Sequence, residues 1–286
     1  MSASATTAHP TLDELRAEAL EAGRRPRRYG SWYVTEHFVR AMRAYGWTIV
    51  VGALGQPILY LLGLVAGLAA LLDAPLSYQG VEVDYLVFVA PALLITAAVS
   101  VGTEELTYPV MSGFKWRRYF YGFNASPLSS GQIVNGCIAG AGARMLLAVA
   151  AYYLFLWLFG AVPNPETGWI AIGVGLLAGL AFGLPLLAYA GSLRDDTGQF
   201  ALVQRFIFTP MFLFSGTFYP LDTLPLWLQW IGWISPLWHG SELGRAVTFG
   251  SELPAAMVAV HLGYLLLLAG GGYVLGRIVF TRRLAQ

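Results

Sequence analysis

The sequence predicts an all-α, polytopic membrane protein with six transmembrane helices, and its composition and apolar pattern carry this prediction. Of the 286 residues, 57% are hydrophobic and only 12% are charged. Six apolar stretches follow one another along the chain, and most reach the ~20 residues that a helix needs to cross the hydrocarbon core. This composition leaves no room for an independent soluble domain.

Residues 1–30 are predicted to form a polar and basic leader on the cytoplasmic side. Thr11 and Glu14 have the spacing of a capping box for a short helix that ends near Gly23. The cluster Arg24-Arg-Pro-Arg-Arg28 precedes the first span, where basic residues hold a segment in the cytoplasm and contact anionic lipids. The first 45 residues lack the short apolar core of a cleaved signal peptide, so we expect none.

Residues 31–45 are predicted to form an amphipathic helix that lies in the membrane interface. Apolar side chains recur at helical spacing on one side, and polar ones occupy the other. The apolar side consists of Val34, Phe38, Met42 and Tyr45, and the polar side of Glu36, His37, Arg40 and Arg43.

Residues 46–286 are predicted to form the transmembrane domain. The apolar stretches are 46–72, 85–103, 133–159, 169–191, 200–216 and 255–279, of which the fifth is the shortest. Basic residues occupy alternate connections, at Lys115, Arg117, Arg118, Arg194, Arg282 and Arg283. Segments 73–84 and 160–168 contain no basic residue. By the positive-inside rule, both termini are therefore expected in the cytoplasm.

The tract from Pro220 to Gly240 is too interrupted by proline for a span and too apolar for a solvent loop. Non-helical backbone at membrane depth is tolerated only where protein or a watery cavity covers it. We therefore expect a re-entrant helical hairpin at the outer face. Its candidate gate residues are Phe218, Pro220, Pro225, Trp227, Trp230, Pro236 and His239.

Glycines at four-residue spacing allow helix backbones to approach closely. Most such pairs are expected to pack within the bundle. The row Gly175, Gly179 and Gly183 in the fourth span is long enough to suggest a dimer seam as well.

Several classes of chemistry find no support in the sequence. Lys115 is the only lysine, so the glycine-lysine element of a phosphate-binding loop is absent. We expect no metal site and no catalytic residue, since the histidines are scattered and Cys137 is the sole cysteine. Nucleic acid is not expected as a partner. One enzymatic alternative stays open, an intramembrane hydrolase or transferase using Ser215, Ser235 or Ser241 beside His239, with an acid such as Asp222 or Glu242.

Arg144 and Arg205 lie inside predicted spans, where charge is costly and usually functional. Arg205 is expected to reach the cytoplasmic face or to pair with Asp195 or Asp196. The carboxylates within reach of Arg144, if the second and third spans are neighbours, are Glu104 and Glu105. A proton-coupled carrier built on Arg144 is a further alternative, although no repeat relates the first three spans to the last three.

The predicted cytoplasmic segment between the second and third spans combines aromatic and cationic residues without an acid. Such residues anchor protein interfaces, but they also hold short helices among lipid head groups, and both interpretations stay open. The residues concerned are Lys115, Trp116, Arg117, Arg118, Tyr119, Phe120 and Asn124.

Three motifs resemble those of a known family. They are Ser126-Pro-Leu-Ser-Ser-Gly-Gln-Ile-Val-Asn-Gly136, Thr209-Pro-Met-Phe-Leu-Phe-Ser-Gly-Thr-Phe-Tyr-Pro220 and Ser235-Pro-Leu-Trp-His239, and Leu224-Pro225 and Arg245 add to the resemblance. Together with the six-span layout, they are similar to the permease subunits of ABC-2 type exporters, in the nodulation-type lipo-oligosaccharide and drug-export branch. The resemblance covers nearly all of the chain beyond residue 30.

The resemblance implies an exporter of amphipathic, lipid-linked or drug-like cargo in the bacterial plasma membrane. It implies a second permease, either a copy or a paralogue, and two ABC ATPase subunits that bind ATP and Mg, with no cofactor on this chain. It makes residues 115–124 a coupling helix, residues 31–45 a gate helix that includes Phe38, Arg40, Met42 and Arg43, and residues 218–238 the outer re-entrant gate. The candidates for the translocation path are Arg144, Arg205, Phe208 and Phe212.

Overall fold

The computed structural model describes residues 11–63, 67 and 75–286, and most of these residues are helical. In chain order the helices are α1 (Leu12–Ala22), α2 (Arg24–Met42), α3 (Gly46–Gly63), α4 (Tyr85–Glu105), α5 (Tyr108–Met111), α6 (Tyr119–Asn124), α7 (Ser130–Leu158), α8 (Pro165–Gly168), α9 (Ile170–Ser192), α10 (Gln199–Val203), α11 (Thr209–Phe214), α12 (Leu226–Trp233), α13 (Pro236–Thr248) and α14 (Ala255–Leu284). The strands β1 (Leu76–Tyr78) and β2 (Val81–Val83) form a hairpin.

Within the described residues, four helical stretches are long and apolar enough to cross a membrane. They are Tyr85–Trp116, Ser130–Leu158, Pro165–Ser192 and Ala255–Leu284. These stretches confirm the predicted second, third, fourth and sixth spans as long apolar helices. The predicted fifth span corresponds to a shorter apolar helix, Gln199–Phe214. The predicted first span, 46–72, begins as α3, and its part beyond residue 63 lies almost wholly outside the described residues.

Two π-helical turns interrupt these stretches, at Ser112–Trp116 and Gln204–Phe208. The second turn has a clear local cause. Pro210 lacks an N–H group and cannot bond to the carbonyl one turn earlier, so the helix widens before it. The hydroxyl of Thr209 donates to the Gln204 carbonyl oxygen at 2.9 Å and caps the widened turn.

Helix α4 is the central element of the bundle, since it is buried along most of its length against α7, α9 and α13. Glycines let the backbones meet. A Cβ atom added to Gly179 would lie 2.9 Å from the Ala98 carbonyl oxygen and 2.8 Å from the Met145 sulfur. One added to Gly183 would lie 2.7 Å from Leu106. The glycine row of the fourth predicted span therefore packs inside the chain, and a dimer seam along it is wrong.

The bundle has two ends that differ in charge. The β-hairpin and the α12–α13 pair lie at one end, called here the hairpin end. The opposite end, called the basic end, carries Arg117, Arg118, Arg194, Arg282 and Arg283. At the basic end, the Arg283 guanidinium lies 4.2 Å from the Phe114 ring centroid and donates to the Gly191 carbonyl oxygen at 2.6 Å. Each end has its own cluster of buried apolar side chains.

Helix α2 packs against α7 through its predicted apolar side. Val34 is 1% exposed, and a Cβ atom added to Gly136 of α7 would lie 2.4 Å from it. Phe38 covers Gly140 in the same way, at 2.7 Å. Part of the apolar side predicted to face lipid therefore contacts protein. The helix also starts at Arg24 rather than residue 31 and bends at Tyr29, so it includes the end of the predicted leader.

The structure contains a β-hairpin that the predicted all-helical fold does not include. Its strands are antiparallel with Tyr78 opposite Val81. The turn residues Gln79 and Gly80 both have positive φ angles, 44° and 78°. Two such residues give the turn the right-handed twist of the strands, which is the usual arrangement of a two-residue hairpin loop.

Helices α12 and α13 form a helical pair after a 3₁₀ turn at Leu221–Thr223. In α12, Trp227 and Trp230 are 71% and 52% exposed, so their indoles face outward. Helix α13 is buried almost throughout. A Cβ atom on Gly240 would lie 2.8 Å from Ile95 of α4, which shows how closely the two helices approach.

Candidate functional site

Arg144 of α7 and two carboxylates at the end of α4 form a charged cluster inside the bundle. The guanidinium forms an ion pair with Glu105 and lies 3.3 Å from Oε2 of Glu104. The side chains of Arg144, Glu105 and Glu104 are 25%, 12% and 60% exposed, respectively. Glu105 lies 11 residues before Trp116, or roughly 16 Å of helix, so the cluster is well inside the stretch Tyr85–Trp116.

Two adjoining cavities meet at Arg144. A small one of about 100 Å³ is lined by Arg144, Glu104, Ser100, Tyr152, Thr48 and apolar side chains. A larger one of about 780 Å³ opens between α2 and the α4–α6 segment. Thr48, Ile49 and Arg144 line both cavities, so the two lie side by side at these residues. A volume of this size is typical of ligand-binding sites.

Arg205 lies in the π-helical turn before α11 and is exposed. The expected pairing with Asp195 is wrong, because Asp195 Oδ1 lies 2.8 Å from Lys115 Nζ. Asp196 instead accepts a hydrogen bond from the Gly198 backbone. Arg205 and Glu104 line a third cavity, of about 380 Å³, without an ion pair between them in the described part of the chain.

The segment predicted as one coupling helix is divided in the structure. Lys115 and Trp116 end a π-helical turn, Arg118 has a positive φ angle of 56°, and α6 begins only at Tyr119. The first part, Lys115–Arg118, is exposed, and the Trp116 side chain is 55% exposed. This corner is the part of the segment that a partner at the basic end can reach.

The second part of that segment faces the bundle. Phe120 is fully buried, and the Tyr119 hydroxyl donates to the Pro109 carbonyl oxygen at 2.6 Å. Asn124 Nδ2 donates to the Leu284 carbonyl oxygen at 3.2 Å, which ties α6 to the end of α14. These residues hold the exposed corner in position.

Aromatic rings connect α6 to α2. Phe38 lies 6.0 Å from Tyr119 and 6.5 Å from Phe120, measured between ring centroids. His37 lies 5.1 Å from Phe123, and partial burial lowers the pKa of His37 below its ordinary value. The lowered pKa favours the neutral imidazole, whose edge-on contact with Phe123 adds to the aromatic contacts between α2 and α6. Met42 is half-buried and lines the larger cavity, whereas Arg40 pairs with Glu36 and, like Arg43, is exposed.

The phenylalanines predicted on the translocation path form a row at the hairpin end. Phe208 stacks on Phe212 with 6.3 Å between centroids, and Phe212 meets Phe218 edge-on at 5.0 Å. Phe208 is 8% exposed, so it belongs to the core. Phe206, two residues earlier, is 71% exposed and points away from the core. The row joins the fifth predicted span to the outer gate residues.

A second arginine cluster lies at the hairpin end and was not among the predicted site residues. Arg245 of α13 is fully buried. Its Nη1 donates to Glu242 Oε1 at 3.0 Å, its Nη2 to the Gly216 carbonyl oxygen at 2.5 Å and its Nε to the Phe88 carbonyl oxygen at 3.3 Å. The guanidinium also lies 4.0 Å from the Phe88 ring centroid. One side chain thus joins α4, α13 and the bend after α11.

Glu242 is held by the β-hairpin as well. The Tyr78 hydroxyl lies 2.7 Å and 2.8 Å from the two carboxylate oxygens, and Gln79 Nε2 donates at 2.9 Å. Burial and the neighbouring Glu242 carboxylate raise the pKa of Tyr78 above its ordinary range, so the hydroxyl stays protonated and donates. Glu242 borders a cavity of about 430 Å³, but both of its oxygens are already bonded.

His239, Ser235 and Ser241 of the enzymatic alternative are engaged elsewhere, whereas the buried hydroxyl of Ser215 has no partner among the described residues. Nε2 of His239 donates to the Trp233 carbonyl oxygen at 3.0 Å, and its Nδ1 lies 2.7 Å from Nδ1 of His261. The Ser241 hydroxyl donates to the Leu237 carbonyl oxygen, and Ser235 Oγ caps the start of α13. A nucleophile needs a hydrogen bond to its base, and both ring nitrogens of His239 already have other partners. The geometry therefore disfavours a hydrolase.

Metal-binding residues do not come together in the described part of the chain, where no three histidine, cysteine or carboxylate side chains form a group.

Comparison with known proteins identifies the family. The ABC-2 type transporter family matches residues 36–249. Nodulation protein J of Rhizobium leguminosarum bv. viciae is 29% identical over 241 residues, which cover 83% of this chain and 88% of that protein. Nodulation protein J of Rhizobium meliloti (strain 1021) is 28% identical over 82% of this chain and 86% of its own length.

A more distant relative is the probable multidrug ABC transporter permease YbhR of Escherichia coli (strain K12). It is 25% identical over 180 residues, which cover 60% of this chain and 46% of that protein. The apolar helices and these matches agree on a transport protein of the membrane. The chain therefore belongs to the ABC-2 type transporter family, as a multi-pass membrane permease of the nodulation type.

Proposed function

We propose that this chain is the permease subunit of an ATP-driven exporter that moves an amphipathic, lipid-linked or drug-like molecule out of the bacterial cytoplasm. The observation that carries the proposal is the cavity of about 780 Å³ between α2 and the α4–α6 segment. Aromatic and apolar side chains line most of it, and Arg144 and Glu105 add charged groups to its wall. This is the combination that an amphipathic molecule requires.

In this proposal the basic end lies in the cytoplasm and the hairpin end faces outward, in accordance with the positive-inside rule. The large cavity then opens near the cytoplasmic face. The fifth span and α3 complete six membrane helices, and α12–α13 form the re-entrant pair. The exposed indoles of Trp227 and Trp230 suit the outer lipid interface, where tryptophan is enriched.

An ABC ATPase pair binds the exposed corner Lys115–Arg118. Aromatic and arginine side chains are the usual anchors of protein interfaces, and Trp116 and Arg117 are both exposed here. Movement of this corner shifts α6. The rings of Tyr119 and Phe120 on α6 contact Phe38 of α2, so the movement reaches α2, which forms one wall of the cavity. ATP and Mg bind to the partner ATPase, and this chain supplies the path.

The path continues from Arg144 past Arg205 to the phenylalanine row at Phe208 and Phe212. A second permease, a copy of this chain or a paralogue, closes it on the other side. The exposed side chains of the π-helical turn Gln204–Phe208, among them Phe206 at 71%, support an additional partner at this face.

The proposal is tested by co-expressing this chain with candidate ABC ATPase subunits from the same genome and purifying through a tag on the permease. The ATPase should co-purify with the permease. The double variant Trp116→Ala/Arg117→Ala should lower the affinity for the ATPase about tenfold or more, which is the effect of losing one interface hot spot. The matched control is Trp169→Ala, which removes an indole of similar exposure, 60% against 55%, at the hairpin end.

If the double variant retains as much ATPase as the control does, the corner Lys115–Arg118 does not bind the ATPase. Absence of any ATPase from the wild-type preparation, together with transport by the chain alone, would overturn the exporter itself. Thermal unfolding of the detergent-solubilised permease shows whether each variant is folded.

A further inference from the structure

We propose that the small cavity at Arg144 binds the positively charged head group of its cargo, a small ammonium group on an apolar body. This inference rests on the proposed transport function and specifies the class of cargo. Three features of the site carry it, namely an excess of negative charge, an unpartnered hydroxyl and the size of the cavity.

The charges of the cluster do not balance. One guanidinium, that of Arg144, faces the two carboxylates Glu104 and Glu105. Glu105 makes the closer ion pair, whereas Glu104 lies 3.3 Å from Arg144 and its side chain is 60% exposed. Glu104 therefore keeps acceptor capacity for another cation. The other cations nearby are Arg117, which lines the larger cavity, and Arg205, which lines the third cavity with Glu104. Both are exposed, so solvent screens their charge, and next to Glu104 a cation is attracted more strongly than an anion.

Tyr152 supplies a second and independent indication of a ligand. Its side chain is 2% exposed, and its hydroxyl has no hydrogen-bond partner among the described residues. A buried hydroxyl is costly when unpaired, so such a group usually bonds to a ligand or to water. Tyr152 lines the same small cavity as Glu104 and Ser100. Its oxygen can accept a hydrogen bond from the N–H group of an ammonium ion.

The size of the two cavities separates the head from the body of the cargo. The small cavity, about 100 Å³, is roughly an eighth of the larger one, about 780 Å³, and fits a small polar group rather than the apolar body. The larger cavity has aromatic walls, including Tyr45, Tyr108 and Trp116. Apolar bodies bind such walls, and the ring faces attract cations as well.

The experiment compares head groups on one octyl tail. The permease–ATPase complex is embedded in phosphatidylcholine nanodiscs without nucleotide, and binding is measured by calorimetry against empty nanodiscs. The probes are octylammonium, octyltrimethylammonium, octyl glucoside and octyl phosphate. We expect octylammonium to bind about tenfold more tightly than octyl glucoside, with octyl phosphate the weakest, because of the excess carboxylate.

Two variants identify the groups responsible. Glu104→Gln should lower octylammonium affinity about tenfold and leave octyl glucoside unchanged. Tyr152→Phe should lower octylammonium affinity about tenfold but spare octyltrimethylammonium, which has no N–H group to donate. The matched control, Glu18→Gln, changes an exposed glutamate on α1 and should leave all probes unchanged.

Equal binding of octylammonium and octyl glucoside by the wild-type complex would overturn the inference, and this comparison needs no variant. Unchanged octylammonium affinity in folded Glu104→Gln would overturn it too. If either result occurs while the ATPase still co-purifies and drives transport, the exporter stands and only the cargo class is wrong. If the head-group preference holds but no ATPase associates, the exporter proposal is wrong and the binding site stands.

Discussion

Arg245 and Arg144 both pair with glutamate inside the helical bundle, but their surroundings differ. Arg245 is fully buried and donates to Glu242 and two backbone carbonyls, and both Glu242 oxygens are bonded. Arg144 is 25% exposed and shares two carboxylates, one of them loosely. Near Arg144, the buried hydroxyl of Tyr152 has no partner among the described residues.

The comparison shows how to separate a structural ion pair from a functional one. A neighbouring cavity is not the distinction, since Glu242 borders one of about 430 Å³ and Arg144 one of about 780 Å³. The distinction is the unused hydrogen-bonding capacity of the charged groups themselves. Arg245 and Glu242 bond to their own chain, although the buried hydroxyls of Ser215 and Thr217 beside Gly216 have no partner among the described residues. Glu104, in contrast, is held loosely by Arg144 and keeps acceptor capacity.

The largest effect is expected from Arg245→Met. This change leaves Glu242 buried without its cation, and breaking a buried pair in this way costs about 3–5 kcal/mol of folding free energy. It also frees the Gly216 carbonyl oxygen. Thermal unfolding followed by size-exclusion chromatography should therefore show a lower midpoint and loss of the monodisperse peak.

The matched control for that prediction is Arg144→Met. Glu104 is partly exposed, and Glu105, although only 12% exposed, lines the larger cavity, so water can reach both remaining carboxylates. The cost should therefore be smaller than for Arg245→Met, about 1–2 kcal/mol. Similar midpoints for the two variants would erase the proposed distinction between the clusters.

A smaller effect is expected from Tyr78→Phe. The change removes one buried donor from Glu242 and leaves the ring in place, so it should cost about 1–3 kcal/mol. Glu82→Gln on the next strand, where the side chain is exposed, is the control and should lie within about 0.5 kcal/mol of wild type. Chemical denaturation in detergent measures both. A Tyr78→Phe protein as stable as the control would mean that the hairpin does not hold Glu242.

Much of the bundle could be predicted because long apolar runs have few alternatives. The four long helices follow from hydropathy, and the carboxylates near Arg144 follow from the rarity of acids in spans. The docking of α2 could not be predicted, because Val34 and Phe38 fit a lipid surface and a glycine groove on α7 equally well. Helical spacing gives the apolar side but not what covers it.

The Arg245 cluster could not be predicted for a different reason. Glu242 and Arg245 are one turn apart on a helix, which is a visible signal, but Tyr78 is 164 residues from Glu242. Nothing local relates them. Similarly, residues 115–124 have helical composition, yet the left-handed backbone at Arg118 divides them, and tertiary packing of Phe120 decides where α6 begins.

The most direct test of the account is ATP-dependent movement of a fluorescent alkylammonium probe in liposomes that contain this chain, with and without its ABC ATPase. Movement should require both the ATPase and ATP, and Arg144→Met should lower its rate about tenfold, since Arg144 holds both carboxylates of the proposed head-group site. Full movement by the chain alone, or an undiminished rate in folded Arg144→Met, would contradict the account.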